Sequence, residues 1–449
     1  MRPLPTELAG QRVTVMGLGR FGGGQGAVEF LCSQGADVTV TDRRSSKELS
    51  DILEQFAVAS NLHWHLGGHQ EEDFCEADLL VVNPAVHPGN PFVELARHRG
   101  VKIRSEIGLF WEGCPGRIIG VTGTNGKSTT ATLIHDCLKE SGRRAWLGGN
   151  IGGSLLMSLD DIVEDDWVVL ELSSFQLMSL NEMRVSPRVA VVTNFAPNHL
   201  DWHRDLDEYR HAKQTILRWQ TENDIAVLNG EDEVFNWPVR GRRLVIDGAS
   251  LPSGVPPALR GQHQSRNIAA AATTVRAIGV TDDAIARAVA RFEALPHRLQ
   301  FIGEKHGRRF YNDSAATTPE STLAALTSIE GPIVLLVGGA EKGADLGPLA
   351  DGIHRFVKAA VLMGQVAPEI DRRLEVVARE SPDPKPQRVI ATSFEDAMSH
   401  AIKLSSPGDV ILLSPGFSSH GWFTNYVDRG EQFVRLTHDA TLLDRTGSD

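Results

Sequence analysis

The chain is expected to fold as an α/β protein of three domains: a Rossmann-like N-terminal domain, a central P-loop ATPase-type parallel sheet, and a C-terminal Rossmann-like domain. Three observations predict this. Short apolar runs alternate with helical segments along the 449 residues, the pattern of largely parallel sheets covered on both faces. A glycine turn, Gly17-Leu-Gly-Arg-Phe-Gly22, follows the first run. A second, Gly123-Thr-Asn-Gly-Lys-Ser128, follows a later one.

In the first segment Val13-Thr-Val-Met16 reads as a strand, and a helix runs from the glycine turn to about Gln34. Gly35 ends that helix, and Asp37-Val-Thr-Val-Thr41 is a second strand finishing at Asp42. Strand, glycine turn, helix, and an acid about twenty residues beyond the last glycine make a βαβ unit of dinucleotide-binding type. Asp78-Leu-Leu-Val-Val82 and Val101-Lys-Ile-Arg104 are further strands, and a boundary falls near residue 106.

The second segment opens on Arg117-Ile-Ile-Gly-Val-Thr122, then the turn Gly123, Thr124, Asn125, Gly126, then a helix begun by Lys127, Ser128 and Thr129. Backbone N–H groups of such a turn cradle phosphate oxygens, Lys127 offsets charge on the outer phosphates, and Ser128 is a ligand for Mg²⁺. The strict pattern places its first glycine where Val121 stands, with Gly120 and Gly123 on either side. Ala131, Ile134 and Leu138 recur at helical spacing, and Gly142 stops the helix. Strands are expected at Trp167-Val-Val-Leu-Glu-Leu172, Val189-Ala-Val-Val-Thr193 and Ile225-Ala-Val-Leu228, and helices around 267–278 and 282–292. The Pro/Gly-rich stretch 251–257 reads as a loop. Leu295-Pro-His-Arg298 marks the next boundary, giving domains 1–106, 107–298 and 299–449. The last segment alternates again, with strands at 332–337, 359–362 and 410–413. Three such domains suggest a site that closes between them.

Composition narrows the function. Forty-five basic against 57 acidic residues leave a net charge of −12, which argues against a nucleic-acid coat or a polybasic membrane patch. No apolar run approaches membrane-spanning length, and the first residues lack a signal-peptide core. Cys32, Cys75, Cys114 and Cys137 are scattered without a Cys-x-x-Cys pair, so neither a disulfide framework nor a zinc site is expected, and a cytoplasmic location is.

Glu171, near the end of a buried strand, lies at the sheet edge where ligands bind in open α/β folds, and its carboxylate suits Mg²⁺. His199, in Asn198-His-Leu-Asp201, projects from the same edge. Each alone is as well explained by a surface or capping role. Lys213, in Tyr209-Arg-His-Ala-Lys213, reads by spacing as an ordinary solvated helical lysine. Nothing local promotes His297-Arg298, or Asp313 in Tyr311-Asn-Asp-Ser314. Gly338-Gly-Ala-Glu-Lys-Gly-Ala-Asp345 is a glycine-rich turn whose lysine can reach an anion, or a plain loop.

Together, Gly123-Thr-Asn-Gly-Lys-Ser128, Leu170-Glu-Leu-Ser-Ser-Phe-Gln176, Asn198-His-Leu-Asp201, His211-Ala-Lys213, Leu295-Pro-His-Arg298, Asn312-Asp-Ser314 and Lys342-Gly-Ala-Asp345 resemble the Mur ligases, ATP-dependent amide-forming enzymes of peptidoglycan precursor synthesis. The likeness covers essentially the whole chain, and the Leu-Ser-Ser-Phe-Gln run points to the glutamate-adding branch. The alanine-adding member has His at the position of Asn125, folate-polyglutamate relatives have Gly at that of Ser128, and the Asp-Asn-Pro-Arg motif of the diaminopimelate-adding member is absent.

The resemblance implies roles. Arg20, Phe21, Asp42, Arg44 and Asn150 would hold the UDP-substrate. Gly123 to Thr129, with Asn267, Arg298 and Asp313, would bind ATP, and Ser128, Glu171 and His199 would bind Mg²⁺. Lys213 would be carbamylated, an anion supporting the metal site. Lys342, Ser419 and Tyr426 would surround the incoming glutamate. Lys127, Glu171, His199 and Lys213 would form the catalytic set. The implied partners are small molecules, UDP-N-acetylmuramoyl-L-alanine and glutamate, joined through an acyl phosphate by a monomer with no nucleic acid and no membrane insertion.

Departures concentrate in the third domain. Ala315 replaces the usual lysine after Asp-Ser, and His420, Gly421 and Thr424 change the stretch 414–424. These positions flank the expected amino-acid pocket, so an L-glutamate-adding ligase is an alternative. A non-catalytic nucleotide-binding protein is another, though it has no need of Glu171, His199 and Lys213 together. An NAD-dependent oxidoreductase would account for the first glycine turn and leave Lys127, Ser128 and Glu171 unexplained.

Overall fold

Every apolar run singled out above forms a strand, interior except for the run at 101–104, which gives the edge strand Lys102–Arg104. The computed structural model describes residues 8–18, 23–56, 59–198, 202–246, 255, 262–293, 295–340, 346–381 and 385–439. They divide into two compact units, Met1–Pro252 with Arg266–Val289, and Ser253–Ser265 with Ala290–Asp449. The loop read at 251–257 lies outside the described residues apart from Val255.

The first unit holds two sheets. In one, β1 (Arg12–Met16), β2 (Asp37–Asp42), β3 (Leu62–Leu66), β4 (Leu79–Val82) and β5 (Lys102–Arg104) lie parallel in the order β3-β2-β1-β4-β5. In the other, β6 (Arg117–Thr122), β7 (Ala145–Gly149), β8 (Trp167–Glu171), β9 (Val189–Val192), β10 (Ile225–Leu228) and β11 (Arg242–Val245) are parallel in the order β11-β10-β9-β6-β8-β7. One continuous hydrophobic core joins them. It runs from Val13, Val38 and Val40 through Ile107, Leu109 and Phe110 of the helix Glu106–Gly113 to Leu170, Ala190 and Val192.

The second unit holds β12 (Gln300–Lys305), β13 (Arg308–Asn312), β14 (Ile333–Gly338), β15 (Val357–Met363), β16 (Gln387–Ile390) and β17 (Val410–Leu413) in the order β12-β13-β17-β14-β15-β16. Only β12 runs antiparallel to its neighbour. Apolar clusters cover both faces, with Leu335 and Leu412 on one and Val334 and Phe310 on the other.

Apart from the interior β13, the strands that the apolar pattern did not reveal are edge strands: β3, β7, β11, β12 and β16. Their sequences explain it. Leu-His-Trp-His-Leu, Arg-Arg-Leu-Val and Gln-Arg-Val-Ile interleave polar residues because an edge strand is only partly covered. No helix among the described residues is long and apolar enough to cross a membrane.

Candidate active site

Sheet order places the site. In the second sheet β6 is flanked by β8 and β9, so successive connections diverge there and leave a crevice at the carboxyl ends of the strands. The turn after β6 fills it. Gly123 has φ +152° and Gly126 φ +80°. A Cβ on Gly123 would come within 2.0 Å of Thr193 Oγ1, and one on Gly126 within 2.2 Å of Asn267 Oδ1, so glycine is required at both positions. The helix Lys127–Glu140 begins directly after the turn, so its N-terminal end lies at the crevice.

The turn is braced from the end of β9. Asn194 Oδ1 accepts from Asn125 N at 2.9 Å, and its Nδ2 donates to Asn125 O at 2.9 Å. Thr193 Oγ1 donates to Asn125 O at 2.6 Å. Lys127 Nζ folds back onto Thr124 O at 2.8 Å, within reach of whatever the turn holds.

Glu171, the last residue of β8, is 1% exposed. Ser128 Oγ donates to its Oε2 at 2.5 Å, and Asn150 Nδ2 donates to its Oε1 at 2.8 Å. The carboxylate is therefore held at both oxygens by neutral donors. A hydroxyl and a carboxylate this close, at the first turn of a phosphate-type helix, are hard oxygen ligands suited to Mg²⁺. Among the described residues no three His, Cys, Asp or Glu side chains converge as a metal cluster. His199 lies outside the described residues.

Lys213 corrects the local reading of its segment. The helix Leu206–Arg218 turns Tyr209, Ala212, Lys213 and Ile216 inward, at the spacing of a single buried face, and Lys213 is 2% exposed. Its Nζ donates to Gly123 O at 2.8 Å and lies 4.8 Å from the centre of the Tyr209 ring. Burial pushes the amine well below its ordinary range; the positive charge of Lys127 adds to this and Glu171 opposes it. A lysine so buried gives up its proton more readily than a solvated one.

A second constellation forms at the switch point of the first sheet, between β1 and β4. Asp42 Oδ2 accepts from Leu18 N at 3.1 Å in the first glycine turn. Its Oδ1 accepts from Arg44 N at 2.9 Å, and Arg44 Nη2 donates to Oδ2 at 2.8 Å. Burial alone would raise this carboxyl, but the hydrogen bonds from Arg44 and Leu18 outweigh it and hold the group low. Asn83, just past β4, faces Gly17, whose added Cβ would lie 3.4 Å from Asn83 Cβ. Arg20 and Phe21 lie outside the described residues.

In the second unit the analogous edge carries Asp313, just past β13. Its Oδ2 accepts from Ser414 Oγ at 2.7 Å and its Oδ1 from Leu299 N at 3.1 Å. Burial pushes the carboxyl up to about 7, with Arg298 and Arg429 pulling the other way. Ser314 Oγ donates to the carbonyl of Tyr426, at the start of the helix Tyr426–His438, and Ser419 is buried in the loop after β17. The start of the β14 turn meets that loop through the Ala340–Ser418 bridge. Lys342 lies outside the described residues.

Three segments match models of one family. Residues 11–105 match the Mur ligase MurD-like N-terminal domain, 121–243 the Mur ligase middle domain, and 297–417 the Mur ligase glutamate ligase domain. The chain is 38% identical to the UDP-N-acetylmuramoylalanine–D-glutamate ligase of Roseiflexus sp. (strain RS-1), covering 97% of this chain and all of that one. It belongs to the Mur ligase family. The enzyme of the same name from Clostridium botulinum (strain Hall) is 33% identical over 95% of this Mur ligase and 96% of its own length. Among solved structures, the UDP-N-acetylmuramate–alanine ligase MurC of Thermotoga maritima shares the fold, with TM-score 0.60, 19% identity, and 95% and 98% of the two chains covered. The MurF ligase of the same organism, solved with ADP, gives TM-score 0.59 at 16% identity, covering 99% and 98%.

In this Mur ligase the structure gathers Lys127, Ser128, Asn150, Glu171, Lys213 and Asn267 around one turn. Asp42 and Arg44 meet at the first glycine turn, and Asp313, Ser314 and Tyr426 in the second unit. Sequence reasoning did not single out the side chains of Asn83, Asn194 or Ser414. Each follows the last residue of a strand by one or two positions at a switch point, and that placement was the available signal. A cavity of about 240 Å³ lined by Val93, Ile103, Phe175, Met178 and Trp202 includes none of the expected site residues.

Two outcomes are expected. Asn194→Ala removes both side-chain bonds to Asn125 and should raise KM for ATP about ten-fold in a steady-state assay; an unchanged KM would contradict the bracing role. Asp313 binds a proton in the folded state that it releases when unfolded, so its contribution to stability falls as pH rises from its ordinary 3.8 towards about 7 and is level above that. Denaturation of Asp313→Asn should therefore show a smaller loss of stability between about pH 5 and pH 8 than the parent, and equal losses would contradict it.

Proposed function

We propose that this Mur ligase joins D-glutamate to UDP-N-acetylmuramoyl-L-alanine at the expense of ATP, in cytoplasmic peptidoglycan precursor synthesis. The Glu171 carboxylate, clamped by Ser128 and Asn150 beside the phosphate-type turn, carries the reading. That pairing serves phosphoryl transfer, and the names of the relatives supply the substrates. The free and scattered cysteines suit the cytoplasm. The chain acts on small molecules as a monomer. The domain limits at residues 106 and 298 belong to this proposal, and the three sheets and three matched segments support them.

The alanine carboxylate oxygen of the substrate attacks the γ-phosphorus of ATP, ADP leaves, and an acyl phosphate forms. The glutamate amine then attacks the acyl carbon, inorganic phosphate leaves, and the amine gives up a proton. Turn N–H groups from Gly123 to Thr129 hold the phosphates, and Lys127 swings from Thr124 O to the transferring group. Ser128 and Glu171, with His199, would hold Mg²⁺, which spreads the charge of the transferring phosphoryl group. Asp42, Arg44 and Asn150, with Arg20 and Phe21, bind the UDP-linked substrate. Asn267, Arg298 and Asp313 contact the nucleotide. Lys342, Ser419 and Tyr426 receive glutamate, beside the altered positions Ala315, His420, Gly421 and Thr424.

Lys213 fits carbamylation. The amine, in its deprotonated form, adds to carbon dioxide, forming an N–C bond and releasing a proton, and the product is an anion beside the Gly123 turn. Incubation with ¹³C-bicarbonate should give a carbamate resonance that Lys213→Ala lacks. A parent without that resonance would contradict the modification.

Phosphate release with MgATP and UDP-N-acetylmuramoyl-L-alanine should depend on D-glutamate and fail with L-glutamate. Lys127→Ala should lower kcat by at least about a hundred-fold. Release with L-glutamate alone would reassign the pocket, and near-normal turnover of the variant would sink the phosphate-turn assignment.

A further inference from the structure

Asn150 donates a side-chain hydrogen bond to Glu171, yet the loop that carries it has little conformational preference of its own. After β7 it continues Ile151-Gly152-Gly153, and the two glycines take φ +76° and φ +85°, the left-handed region. Gly153 has open space where a Cβ would stand. Such a segment must be held from its ends. One end is Asn150, whose N donates to Glu171 O at 2.9 Å. The other is Ser154, whose Oγ donates to Glu106 Oε1 at 2.5 Å and accepts from Leu156 N at 3.3 Å.

Glu106 opens the helix Glu106–Gly113, which leads from the last strand of the first sheet to the first strand of the second. It is 9% exposed, and burial pushes its carboxyl up to about 7, with the Ser154 hydroxyl as the only opposing influence. Burying a carboxyl without a basic partner costs free energy, so packing alone would be served better by an apolar residue. Ser154 also touches a third element. A Cβ on Gly26 would lie 2.5 Å from Ser154 Cβ, so the helix Gly23–Ser33, which starts from the first glycine turn, presses its backbone against this serine.

We propose that Glu106 and Ser154 are a positioning pair that fixes the Asn150 loop against the helix following the first glycine turn. The pair thereby sets the spacing between the UDP-binding turn and the Glu171 centre. This rests on the substrate assignment made above. Neither residue touches a reacting atom; both act through Asn150.

The test uses the full chain with Ser154→Ala, Glu106→Leu and Glu106→Gln. Ser154→Ala keeps the Cβ that packs on Gly26 and loses only the hydroxyl, and the glutamine amide oxygen can still accept from Ser154. Hydrogen exchange of the amides of 149–155 should speed up about ten-fold in the first two variants and stay at the parental rate in Glu106→Gln. KM for the UDP-substrate should rise about five- to ten-fold in the same two variants, with KM for ATP within about two-fold and Glu106→Gln near the parent. Unchanged exchange would overturn the tether whatever the activity. Equal rises in both KM values, or a Glu106→Gln as impaired as Glu106→Leu, would reduce the pair to general stability. A parent that does not turn over the UDP-substrate would defeat the substrate assignment, while the exchange data still decide the tether.

Discussion

A carboxylate buried at the end of β8 has to be satisfied, and the way this is done organises the centre of the molecule. Glu171 takes a hydroxyl from the helix after β6 and an amide from the loop after β7. Three neighbouring segments, β6, β7 and β8, are thereby locked at one end of the sheet. Neutral donors leave the carboxylate charge available to a cation. Lys127 and Lys213 are both engaged by carbonyls of the same turn, Thr124 O and Gly123 O. Both amines are thus held at the turn itself.

The second unit solves a similar problem differently. Arg429 is 1% exposed, donating from Nε to Ser314 Oγ at 3.0 Å, from Nη2 to Ser314 O at 2.8 Å and from Nη1 to Phe417 O at 3.1 Å. It ties the segment after β13 to the loop after β17, which carries Ser419. Asp313 hangs on the same loop through Ser414. Polar networks of this kind are costly if partly satisfied and specific when complete. Here the network fixes the backbone around the expected amino-acid pocket. His420 and Gly421 are exposed beyond it, so their departures from the family pattern leave the supporting bonds intact.

The interior of the fold was legible because buried parallel strands must be apolar along their length, as Val189–Val192 and Val410–Leu413 are. Most edge strands escaped for the converse reason, and β7, Ala-Trp-Leu-Gly-Gly, ends on Gly149, whose Cβ would meet Glu171 O of β8 at 2.3 Å. The phosphate turn declared itself through residue types that only one geometry explains. Lys213 did not, because a lysine beside Tyr209, Ala212 and Ile216 reads by spacing equally well as the solvated rim of that face. Asn194 was invisible for a different reason. Its role depends on β9 lying beside β6, a pairing between distant segments that no local pattern encodes.

The central claim is that the substrate carboxylate itself takes up the γ-phosphoryl group at the Ser128–Glu171 centre. The most direct measurement supplies UDP-N-acetylmuramoyl-L-alanine labelled with ¹⁸O in the alanine carboxylate, together with MgATP and D-glutamate, and analyses the phosphate released by mass spectrometry. One labelled oxygen should pass to each phosphate, because the acyl phosphate keeps the bridging oxygen on phosphorus when the amine displaces it. Phosphate released without label would show that water attacked ATP, and would contradict the account.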